Sequence, residues 1–130
     1  MTRPQKKVLA AGNCDFDHKK LVKLLQSFSQ SDADSITVQR ATTATEVFDL
    51  LRGQNFDLVL LNRVFDRDQA EAIKIIPEIV RMYPQTPVIL ISNFAEARQQ
   101  AEAEGGRPGF GKADFHSGKA LAVLRPYLDA

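Results

Sequence analysis

Chemistry in this chain is confined to a few polar residues, each standing where an apolar run stops. Phe56-Asp57-Leu58-Val59-Leu60-Leu61 ends in Asn62, and Pro87-Val88-Ile89-Leu90-Ile91 ends in Ser92. Val8-Leu9-Ala10-Ala11 ends in Gly12-Asn13, and Gly109-Phe110-Gly111 ends in Lys112. Amide, hydroxyl and ammonium groups can orient or neutralise an anion, but none here is a strong nucleophile. Carboxylates follow two of the runs: Asp15 and Asp17 after Asn13, Asp66 and Asp68 after Asn62. They could bind a cation, yet loop carboxylates seldom give the octahedral geometry that magnesium wants. Solvated loop acids at Asp66 and Asp68, and helix N-caps at Asp15 or Asp17, are the simpler accounts, with a partial metal site left open. Cys14 sits where a thiolate could attack, but a phosphatase-type loop would place arginine six residues on, and Lys20 stands there. An inert or merely oxidisable thiol is expected. His18 and His116 lack metal-ligand spacing, and Lys19, Lys20 and Lys23 form a solvated basic face.

Those positions have to be delivered by buried strands. Four consecutive branched residues before Asn62, and a similar run before Ser92, predict strands covered on both faces, as in the middle of a parallel sheet. Ile36-Thr37-Val38-Gln39-Arg40 alternates and suits an outer strand, and a short glycine-rich strand covers 107–112. Between them helical spacing predicts helices over 17–28 (Leu21, Leu24, Leu25, Phe28), from Thr43 or Thr45 to near Gly53, over 69–82, over 94–104 and over 117–128. Pro77 should kink or interrupt the third of these. The polar stretch 29–35 reads as a loop. Five strands alternating with five helices imply an α/β three-layer sandwich, and right-handed crossovers favour the flavodoxin-like order 2-1-3-4-5. In such sheets the functional crevice lies at the carboxyl ends of the strands, which puts Asn62 at its lip; a plain polar terminator is the bland alternative.

The totals suit one domain spanning 1–130. The 44% hydrophobic and 25% charged fractions are ordinary for a globular chain. A net charge of +1 gives no bulk attraction to nucleic acid or an anionic membrane. One cysteine, no apolar run of membrane-spanning length and no secretory signal point to a soluble cytoplasmic protein. Five strands and five helices leave no room for a DNA-binding module.

With these landmarks in place, the chain resembles the receiver domain (CheY-like) of two-component response regulators along nearly its whole length. FDLVLLN is similar to the strand that ends in the phosphorylated aspartate, PVILIS to the strand that ends in a hydroxyl residue, and GFGK to the strand that ends in lysine. The resemblance implies a phosphoacceptor at Asn62, an acidic magnesium-binding pair at Gly12 and Asn13, and a switch aromatic at Gly109. Each of these departs from the family pattern, as does Ala113 in place of the proline after the lysine. Ser92 and Lys112 alone are retained.

Phosphoryl transfer to a carboxylate needs an anionic nucleophile and a divalent ion, and an amide supplies neither. The expectation is a degenerate pseudo-receiver without catalytic residues or bound magnesium, whose amides satisfy one another and Lys112 by hydrogen bonds. It would act by protein–protein contact with a histidine kinase or another signalling protein. Homodimerisation would use the face of the fourth helix, fifth strand and fifth helix (94–104, 107–112, 117–128). Two alternatives stand beside it: an active receiver using displaced acids Asp15, Asp17, Asp66 or Asp68, and a small-ligand binder using the crevice between Gly12, Asn62, Ser92 and Lys112.

Overall fold

Branched apolar runs pair into a single sheet. A computed structural model describes residues 6–28 and 36–128; the expected loop at 29–35 lies outside them. The strands are β1 (Lys6–Ala11), β2 (Ile36–Ala41), β3 (Leu58–Asn62), β4 (Val88–Ile91) and β5 (Arg107–Phe110). All pairs are parallel and the order is β2-β1-β3-β4-β5. The helices are α1 (Asp15–Gln26), α2 (Ala44–Gly53), α3 (Ala72–Met82), α4 (Ala95–Ala103) and α5 (Gly118–Leu128). This is the expected flavodoxin-like architecture.

Alternation along the strands separates two apolar layers. Val8, Ala10, Leu58, Leu60, Ile89 and Ile91 meet Leu21 and Leu25 of α1 and Leu124 and Leu128 of α5. Leu9, Ala11, Val59, Leu61 and Leu90 meet Val47 and Leu51 of α2, Ile76 and Ile79 of α3 and Ala101 of α4. By the same alternation Asn62 follows Leu58 and Leu60 towards the α1/α5 side.

Several boundaries differ from expectation, each for a local reason. α1 starts at Asp15 and ends at Gln26; its N-cap is Cys14, with no side-chain capping bond, so neither aspartate caps it. α3 starts at Ala72, because residues 65–70 close a turn in which Phe65 N–H donates to Ala70 O (2.8 Å) and Gln69 takes φ 59°. Pro77 does not interrupt α3. Burial of Ile76 and Ile79 outweighs the one hydrogen bond that proline removes. β5 stops at Phe110; Lys112 instead opens a 3-10 turn, Lys112–Asp114. In β5, Arg107 and Phe110 face Ile89 and Ile91, so three steps on the edge strand match two on β4, a bulge at Pro108-Gly109. α2 follows expectation: Thr43 caps it, accepting from Glu46 N–H at 3.2 Å.

Candidate functional site

At the mouth of β1, glycine is required. Gly12 has φ +85°, and a Cβ there would stand 2.3 Å from the ring of Phe65, itself fully buried. The aromatic ring thus lies directly against the backbone at the end of β1. Sequence reading missed Phe65; a phenylalanine in a charged loop looks like an isolated anchor, and nothing in spacing ties it to Gly12.

Asn62 acts as a donor. Its Nδ2 gives hydrogen bonds to Val64 O (2.7 Å) and Gly12 O (3.3 Å). It therefore ties the loop after β3 to the end of β1, helped by Asp66 N–H donating to Gly12 O at 2.9 Å. A carboxylate in that place would bring an oxygen against two carbonyl oxygens. Asn13 is 3% exposed, and neither side-chain amide atom has a hydrogen-bond partner among the described residues. Its carbonyl accepts from Arg40 at 3.1 Å. The expectation that the amides satisfy each other and Lys112 is therefore corrected. Asn62 turns to backbone, Asn13 finds no partner among the described residues, and Lys112 Nζ donates to Asp17 at 2.8 Å. The aspartate is available because α1 begins earlier than its spacing suggested, which puts Asp17 in the first turn, facing the β5–α5 connection.

Ser92 is 4% exposed; its Oγ accepts from Phe94 N–H at 3.1 Å and its carbonyl from Arg98. Gly109 has no room for any side chain: a Cβ would lie 2.2 Å from Leu90 O. Asp15 pairs with Arg40 at 2.8 Å, and that hydrogen bond, then the guanidinium charge, holds its carboxyl below the usual range. Asp68 accepts from the backbone N–H groups of Ala44 (3.0 Å) and Ala70 (3.1 Å). Burial raises the carboxyl of Asp17, but Lys112 by hydrogen bond and charge, the Cys14 thiol and Lys20 outweigh it and leave it lowered. His18 is lowered by burial, then by Arg40.

The expected residues do not share one site. Asn62, Ser92 and Lys112 line a recess of about 260 Å³, whereas Asn13, Asp15 and Asp66 line another of about 370 Å³ with Arg40 and Arg67. Among the described residues, no three His, Cys, Asp or Glu side chains gather closely enough to hold a metal ion. No helix among the described residues is long and apolar enough to cross a membrane.

No family model matches the sequence, and no curated protein matches it. Solved structures do match. The signal receiver domain of an HD domain-containing protein from Pseudomonas fluorescens Pf-5 is 22% identical with a TM-score of 0.78, over 99% of this chain and 90% of that one. NtrX from Brucella abortus is 20% identical with a TM-score of 0.75, over 96% of this chain. This chain spans only 27% of that one. The beryllofluoride-activated NtrC4 receiver domain dimer is 16% identical with a TM-score of 0.73, over 96% of this chain and 98% of that one. With five parallel strands in the order β2-β1-β3-β4-β5 and helices on both faces, the chain has the fold of a response-regulator receiver domain.

Proposed function

We propose that this chain is a pseudo-receiver: a signalling module that works by protein–protein contact without a phosphorylation cycle. The observation that carries the reading is the contact between Phe65 and Gly12, which fills the position of the first magnesium-binding acid with a hydrocarbon ring. Asn62 supports it, since its amide is committed as a donor to two carbonyl groups. Three of the four displaced acids are also engaged: Asp15 by Arg40, Asp17 by Lys112 and Asp68 by backbone N–H groups. The partner fitting this reading is a histidine kinase or another signalling protein. Self-association would use the α4-β5-α5 face, and the NtrC4 receiver dimer is a precedent for pairing on this fold.

Titration with acetyl phosphate or beryllofluoride plus Mg²⁺, followed by amide chemical shifts and intact mass, tests it. The expected result is neither a saturable Mg²⁺-dependent shift around Asn62 nor a phosphate-sized mass gain. A mass gain mapped to Asp66 or another acid overturns the reading in favour of an active receiver.

A second reading is favoured by Asn13, whose buried amide lacks a partner among the described residues beside the larger recess. Buried polar groups ordinarily find partners, so a small polar ligand there would satisfy it. Thermal-shift screening with free amino acids and nucleobases tests this, with Asn13→Ala as the control that abolishes any response.

A further inference from the structure

We infer that Asp17 and Lys112 form an internal latch, in which a carboxylate from α1 serves as the resident anion for the crevice lysine and ties α1 to the β5–α5 turn. The two residues are 95 positions apart and their charged atoms are 2.8 Å apart. Their side chains are 19% and 34% exposed, whereas each of the other ion pairs among the described residues has at least one side chain half exposed or more. A pair shielded in this way is held in one geometry more firmly than a solvated one. The carboxylate is carried by the first turn of α1, which fixes its end of the pair.

The lysine end is anchored just as firmly. Gly111 N–H donates to the Asp114 carboxylate at 2.9 Å, and Ala113 N–H donates to Asn93 Oδ1 at 3.0 Å. These bonds hold the backbone on both sides of Lys112. The turn then delivers Phe115, whose ring meets Phe110 edge-on at 6.0 Å, in the layer shared by α1 and α5. Movement of Lys112 would therefore reach both helices of that layer. The latch deepens the pseudo-receiver reading and rests on it for its meaning, since a permanent internal anion leaves the lysine nothing to exchange.

Neither phosphoryl donor nor Mg²⁺ enters the test, so its failure leaves the phosphorylation experiment above untouched. Side-chain amines are labelled by reductive ¹³C-methylation, and the rate at Lys112 is compared with Lys19 and Lys23 in the same molecule. In the wild type Lys112 should react about three- to fivefold more slowly, the factor expected of a part-buried ion pair. Asp17→Asn should bring it to the rate of the two reference lysines and shift amide resonances over 110–118. Lys112→Gln should shift those of the first turn of α1. Equal rates for all three lysines in the wild type overturn the latch, even if neither variant folds. Shifts confined to the substituted element also overturn it.

Discussion

Glycine 12 is chosen by its neighbour as much as by its backbone. Both the left-handed φ and the Phe65 ring, 2.3 Å from where a Cβ would stand, exclude a side chain, so Gly12→Ala should destabilise the fold by about 2–4 kcal/mol. In a Phe65→Ala background, itself about 3–5 kcal/mol less stable, the same change should cost less; additive penalties in urea unfolding would separate the two. Asn62→Asp should lose about 1–3 kcal/mol, because two donated hydrogen bonds become oxygen–oxygen contacts. It should also remain unphosphorylated with acetyl phosphate and Mg²⁺ by intact mass; a phosphate-sized gain would show that charge at position 62 was the sole obstacle. Asp17 makes a pH-dependent contribution. Its folded carboxyl lies below the ordinary value, so its stabilisation is full above the unfolded carboxylate pKa and disappears as pH falls through the folded one. Wild type and Asp17→Asn should differ by about 1 kcal/mol near neutrality and converge in acid.

Helices and strands show what kind of information a sequence carries. Strand runs were legible because Leu58-Val59-Leu60-Leu61 and Val88-Ile89-Leu90-Ile91 are buried on both faces, and nothing but a central strand of that length fits. Two helix starts were not, since α1 begins without a side-chain cap and α3 waits for the turn over 65–70, which depends on contacts with the end of β1. Pairings such as Phe65 with Gly12 or Asp17 with Lys112 join different loops and leave no periodic trace. Pro77 illustrates tertiary override: a local helix breaker is held inside α3 by Ile76 and Ile79 against the sheet. Pro77→Ala should therefore raise stability by about 1–2 kcal/mol, part of the regained hydrogen bond being offset by the freer unfolded chain, as denaturant midpoints would show.

At the scale of the whole molecule, each apolar layer reaches the polar mouth, one through Phe65 against Gly12 and the other through Phe110 and Phe115 beside the turn that carries Lys112. One border of the sheet carries a different message. β5 is the outermost strand on its side, and Pro108 there has no N–H while the bulge at Gly109 throws the backbone out of step. A foreign chain approaching that margin finds neither a regular ladder nor a full set of donors to zip against. Strand-to-strand addition along this edge is disfavoured by the same two residues that end the strand's regularity.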